Sequence, residues 1–196
     1  LTEGGDVHTF ELYENDKRNS EWYKKGEDKD IYYQFWDMDS LISEYADLHY
    51  PNGQLIEKIS YKKGLKNGKF TGYFQNGAKK YVKRYENDEP EGKWQYYTMA
   101  GKTNAEEIYE EGKRNEEWYR IDEIGDTYYQ YWDMDSLISE YADLHYPNGQ
   151  LIEKISYKKG LKDGKFTGYY ESGEVKYKKR YTEDDPDGKW EYYTAA

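Results

Sequence analysis

The sequence predicts an all-β repeat protein. About eight β-hairpin repeats of 24 residues would form an extended antiparallel meander sheet, arranged as two near-identical cassettes of four repeats. Three observations predict it. Glycines stand at Gly53, Gly77, Gly101, Gly125, Gly149 and Gly173, each 24 residues after the last. Aromatic residues keep the same step: Tyr61, Tyr85, Tyr109, Tyr157 and Tyr181 share one phase, and Trp22, Phe70, Trp94, Trp118, Phe166 and Trp190 another. Residues 36–66 recur unchanged as 132–162, an offset of 96 residues or four repeats. A fixed period of this length marks a repeat architecture, in which each repeat buries its apolar face only against its neighbours.

Each repeat reads as two strands and two turns. Leu55, Glu57, Ile59 and Tyr61 alternate with Ile56, Lys58 and Ser60, and Trp94 and Tyr96 alternate with Lys93, Gln95 and Tyr97. Period two in β-branched and aromatic residues is a strand signal. Asn52-Gly53, Asn76-Gly77 and Asn148-Gly149 predict type I′ turns, in which both central residues take positive φ. Asn67-Gly68, Asp163-Gly164 and Pro186-Asp187-Gly188 predict the other turn of the repeat. The best helical candidate is one turn over residues 39–45, capped by Ser40, with its copy from Asp135; the tract is too short for a full helix. Residues 1–28 read as a degenerate N-terminal cap, since Gly26 and Lys29 fall out of phase. Residues 29–100 and 101–196 then form the two cassettes of one continuous sheet.

Composition limits the core and the partners. Leu, Ile, Val and Phe supply only 28 of 196 residues and the net charge is −11, a profile that ordinarily means disorder. The 26 Tyr and 6 Trp reverse that expectation and predict a thin aromatic core. A net negative chain repels phosphate, so nucleic acid and anionic membrane surfaces are poor partners. A basic protein is a good one, mainly through faster association. Lys62-Lys63, Lys79-Lys80 and Lys178-Lys179-Arg180 read as solvated strand faces or edge protection. Without cysteine there are no disulfides or thiolate metal sites. No apolar run is long enough to span a bilayer as a helix. The sequence leaves the compartment open between the bacterial cytoplasm and, if a leader was removed before Leu1, the periplasm or cell surface.

The pattern Tyr50-Pro51-Asn52-Gly53-x-Leu55, then Tyr61-x-x-Gly64-x-x-Asn67-Gly68-Lys69-Phe70, Asn76-Gly77, Tyr85 and Glu91-Gly92-Lys93-Trp94-x-Tyr96-Tyr97 resembles the bacterial MORN-type repeat proteins labelled YwqK-like antitoxin components. The resemblance covers residues 45–119 and 141–194. It implies an elongated antiparallel sheet of successive hairpins and an antitoxin-like role. Repeats holding Trp36-Asp37-Met38-Asp39 and Trp132-Asp133-Met134-Asp135 depart from it, with Glu44 and Glu140 where the second glycine would stand; a bulge or local insertion is expected there.

No catalytic constellation emerges, and neither an enzyme nor a cofactor is expected. Asp37-x-Asp39 and Asp133-x-Asp135 fail as calcium loops, because Leu41 and Ile42 occupy the fifth and sixth positions of the first. His8, His49 and His145 lack metal-ligand spacing, and the last two replace tyrosine at a sheet position. The informative feature is an aromatic ladder, with Trp22, Trp94, Trp118 and Trp190 on one face and Tyr23, Tyr97, Tyr119 and Tyr193 on the other. One face would form the thin core, and the other is either sheet-stabilising cross-strand pairing or a partner-binding platform. The expected function is a non-enzymatic protein-interaction module of antitoxin or immunity type. The alternative is a surface or envelope adhesin that binds glycan through its rings, and self-association through open sheet ends is a third reading.

Overall fold

The computed structural model describes residues 9–26 and 29–195. His8 and parts of the predicted cap therefore lie outside the described residues. The chain divides into two compact halves, Leu1–Thr103 and Asn104–Ala196. Among the described residues every regular element is a β-strand, and no helix is long and apolar enough to cross a membrane.

Each half is an antiparallel meander in which consecutive strands pair. In the first half Ser20–Lys25, Ile31–Asp37, Ser40–His49, Leu55–Lys62, Gly68–Tyr73 and Lys79–Glu86 pair in chain order, and Gly92–Tyr97 pairs with Lys79–Glu86. The second half repeats this order from Glu116–Ile121 through Thr127–Asp133, Ser136–His145, Leu151–Lys158 and Gly164–Tyr169 to Val175–Thr182. Residues 9–26 also pair as strands, with Phe10 opposite Tyr23.

The turns exchange the roles that the sequence suggested. At Asn52-Gly53 only the glycine has positive φ, at 86°. The Gly53 N–H donates to the Tyr50 carbonyl at 2.7 Å, which closes a turn over Pro51 and Asn52 with left-handed Gly53 behind it. Paired positive φ values instead mark the other turn of the repeat: Lys63-Gly64 (51° and 81°), Asn87-Asp88 (50° and 71°) and Met38-Asp39 (45° and 70°). Asn67-Gly68, predicted as that turn, follows it as an irregularity in the ladder, with the Asn67 N–H on the Ser60 carbonyl at 3.0 Å. The side chains explain part of the exchange. Asp88 Oδ1 accepts from the Lys66 N–H at 2.7 Å, and Asp39 Oδ1 from the Arg18 N–H at 2.9 Å. A carboxylate at the second turn position thus fixes the preceding hairpin and offsets a non-glycine residue in the left-handed region.

The helical turn expected over residues 39–45 is absent: Ser40–His49 and Ser136–His145 are ten-residue strands. Strand pairing on both sides of each tract outweighs the Ser40 cap signal. The predicted bulge is present, as a register shift between Phe35 and Trp36 and between Tyr131 and Trp132.

The core is one side chain deep. Ala46, Phe70 and Trp94 are buried in the first half and Trp132, Ala142 and Phe166 in the second, and no described side chain reaches full burial. Stability must therefore come from contacts between neighbouring strands.

Candidate binding site: a vacancy in the aromatic ladder

The predicted tryptophans and tyrosines lie on opposite faces, following strand alternation. On the tryptophan face, rings from successive strands form a column. In the first half Tyr13, Trp22 and Trp36 follow at centroid separations of 5.1 and 5.8 Å, and Tyr61, Phe70, Tyr85 and Trp94 at 6.0, 4.9 and 5.0 Å. In the second half Tyr109, Trp118 and Trp132 follow at 5.0 and 5.8 Å, and Tyr157, Phe166, Tyr181 and Trp190 at 6.2, 4.9 and 5.3 Å. Edge-on and tilted pairs at such spacings add roughly 0.5–1.5 kcal/mol each beyond burial.

The four predicted tryptophans are pinned by this scaffold. The indole N–H of Trp22 donates to the Leu12 carbonyl at 3.0 Å, Trp94 to Arg84 at 2.8 Å, Trp118 to Ile108 at 2.9 Å and Trp190 to Arg180 at 3.1 Å. Each bond is a second one on a carbonyl that already accepts a backbone N–H at the repeat's irregularity, from Asn19, Glu91, Asn115 and Asp187 in turn. The opposite face carries shorter ring runs: Tyr23 meets Tyr33 at 6.4 Å and Tyr33 stacks on Tyr45 at 4.2 Å, copied by Tyr119, Tyr129 and Tyr141 at 6.4 and 4.3 Å. The Tyr97 hydroxyl donates to Gln95 and that of Tyr193 to Glu191, both at the end of their half. Within each half the four predicted residues thus divide between two faces.

The column breaks once in each half. Ala46 and Ala142 occupy the phase held elsewhere by Trp22, Phe70, Trp94, Trp118, Phe166 and Trp190. Ala46 pairs with Tyr32 on one side and Ile59 on the other, and Ala142 with Tyr128 and Ile155. Above each alanine opens a groove. The first has a volume of about 540 Å³ and is lined by Tyr32, Gln34, Glu44, Ala46, Ile59 and Tyr61. Its counterpart, about 690 Å³, has Tyr128, Gln130, Glu140, Ala142, Ile155 and Tyr157 in the same places, with Trp118 and Arg120 extending the wall. Such volumes suit a small ligand or an inserted side chain. Sequence reasoning missed both grooves. Their signal was an interruption: two positions of the aromatic phase filled by alanine.

Each groove has a polar end. Gln34 Nε2 donates to Glu44 Oε1 at 2.7 Å, and Gln130 to Glu140 at 2.8 Å. The indole N–H of Trp36 donates to Gln34 Oε1 at 3.2 Å. Beside it Arg18 lies over the Trp36 ring at 4.0 Å, and Arg114 over Trp132 at 3.8 Å. Asp39 and Asp135 hold these guanidinium groups at 3.4 and 2.9 Å. The Asp39 carboxyl is held below its usual range chiefly by the backbone N–H of Arg18, and the Asp135 carboxyl chiefly by the Arg114 side chain. Tyr32 and Tyr128 stand at the mouth, 45% and 36% exposed.

Tyrosine–carboxylate bonds join described residues 24 apart. Tyr45 donates to Glu21 at 3.1 Å, Tyr81 to Glu57 at 2.6 Å and Tyr177 to Glu153 at 2.7 Å, and Tyr141 donates to Glu117. Burial, followed by the carboxylate bond, pushes all four phenols well above the usual range. His49 and His145 are positioned by their backbones: their N–H groups donate to Asp30 and Asp126 at 2.6 Å. Among the described residues no group of three or more His, Asp or Glu side chains is placed to hold a metal ion.

No model of a known protein family matches the chain, and no curated protein matches it either.

Proposed function

We propose that the protein is a non-enzymatic interaction module that holds a protein partner through two equivalent grooves, one in each half. The observation that carries this reading is the duplication of the groove. The same six residue types recur 96 positions apart around the same interruption of the ladder. A catalytic site is ordinarily a single asymmetric constellation of titratable groups. Two copies of one aromatic-walled groove instead favour recognition, in which a second site multiplies apparent affinity. The net charge of −11 favours a basic partner. A basic toxin met by an acidic antitoxin or immunity protein fits both the charge and the sequence resemblance.

One observation favours a second reading, an adhesin for glycan. The tyrosine walls and the Gln34–Glu44 pair together offer a ring face and hydrogen-bonding groups.

Immobilised protein exposed to the source cell's lysate and to its washed envelope fraction tests the choice. Two copies of one basic protein per chain, released by salt, are expected. Retention of envelope polysaccharide, released by free sugar, would replace the interaction reading with the adhesin.

A further inference from the structure

We infer that each groove receives an aromatic side chain of the partner, which supplies the ring that the ladder lacks at Ala46 and Ala142. This inference rests on the proposed interaction function. The repeat itself records what fits this position. Phe70 sits there between Tyr61 and Tyr85 at 6.0 and 4.9 Å, and Phe166 between Tyr157 and Tyr181 at 6.2 and 4.9 Å. At Ala46 one neighbouring strand carries the column ring Tyr61 two residues from the paired Ile59, and the other presents Tyr32 directly opposite and Gln34 two residues on, with Trp36 two residues further, so the column is open between Trp36 and Tyr61.

The chemistry of the groove suits that occupant. Its floor is Ala46 and Ile59, both apolar, and its mouth is the exposed Tyr32. Gln34 and Glu44 bond to each other, so the polar end already has a partner and an apolar ring strands no amide there. The remaining acceptor capacity of the Glu44 carboxylate suits an indole N–H or a basic residue beside the ring. Both features match the basic partner that the net charge favours. Aromatic anchors filling desolvated pockets commonly dominate protein interfaces. The occupant is therefore a Trp or Phe flanked by Lys or Arg.

Fluorescence anisotropy with two labelled peptides, Lys-Lys-Trp-Lys-Lys and Lys-Lys-Ala-Lys-Lys, tests the inference, with calorimetry for stoichiometry and an N-acetylglucosamine tetramer as the glycan probe. The tryptophan peptide is expected to bind at two per chain and roughly tenfold or more tighter than the alanine peptide. Added salt should weaken both while preserving their ratio. Ala46→Phe with Ala142→Phe fills the vacancy from within and should abolish the preference without lowering the unfolding midpoint. Should that variant misfold, Tyr32→Ser with Tyr128→Ser removes exposed wall rings instead and should also erase the preference.

Equal binding of the two peptides by the native protein would overturn ring docking while leaving charge-driven protein recognition standing. Binding of neither peptide would overturn it too, as would an undiminished preference in a folded, filled variant. Tetramer binding that the filled variant loses would assign the grooves to glycan and overturn both this inference and the protein-interaction reading.

Discussion

Gly72→Ala, made together with Gly168→Ala so that both halves are affected, tests the closest approach in the sheet. Gly72 pairs with Tyr81 across the strands, and the phenol ring lies flat over the glycine. A Cβ at position 72 would stand 2.9 Å from Tyr81 Cδ1 and closer still to Cε1 and Cζ; Gly168 stands in the same relation to Tyr177. Carbon atoms settle near 3.5–4.0 Å, so the ring must lift by about 1 Å. That lift pulls the hydroxyl off Glu57, which it reaches at 2.6 Å. Losing a bond to a charged group costs about 1.5–3 kcal/mol, and overpacking adds about 1–3 kcal/mol. Against this, alanine regains only about 0.5–1 kcal/mol through a less flexible unfolded chain. The expected result is destabilisation by roughly 1.5–5.5 kcal/mol per site, read from urea unfolding. In a double-mutant cycle with Tyr81→Ala, the combined cost should fall short of the sum by at least about 1 kcal/mol. A neutral or stabilising Gly72→Ala, or strictly additive costs, would refute the reasoning.

Other expectations follow from the same contacts. Tyr45, Tyr81, Tyr141 and Tyr177 have folded pKa values raised above the ordinary phenol value. Their contribution to stability is therefore complete below about pH 10 and declines as pH rises further, because the unfolded chain ionises first. Urea midpoints measured between neutral and strongly alkaline pH should fall above that value, with a shallower fall in the Tyr81→Phe/Tyr177→Phe variant. Met38→Asn with Met134→Asn should stabilise by about 0.5–1 kcal/mol per site in thermal unfolding, because asparagine tolerates the left-handed φ of 45° and 44° found there. Trp94→Phe with Trp190→Phe removes one of two hydrogen bonds on the Arg84 and Arg180 carbonyls, which keep the backbone N–H groups of Glu91 and Asp187, and should cost about 0.5–1.5 kcal/mol per site, while peptide affinity at the grooves stays unchanged.

The period and the alternation carried most of the fold. Gly53, Gly77 and their successors mark one turn of each repeat because glycine accepts positive φ, and the ring phases mark faces because strand side chains alternate. The turn types were less legible. Lys63-Gly64, Asn87-Asp88 and Met38-Asp39 share a conformation but no residue pair, since a carboxylate bond two strands away supports some of them. Residues 39–45 misled because a local cap signal was weighed where long-range pairing decides. In the site, the tryptophans were visible as large residues in a regular phase, and each is held through its indole N–H. The grooves arise where Ala46 and Ala142 omit a ring and Glu44 and Glu140 replace glycine, and their shape becomes evident only when neighbouring strands are placed beside them.

The identity of residues 36–66 and 132–162 has a consequence for folding. A folding chain normally distinguishes its strands by sequence, so that each has one destination. Here a whole three-strand stretch has two equally good destinations, and the pairing register that selects one selects the other with equal free energy. The flanking residues, 20–35 against 116–131 and 67–98 against 163–194, differ between the halves and label which copy is which. Correct assembly then depends on order of synthesis and on chain connectivity, and the same ambiguity permits two molecules to exchange equivalent segments.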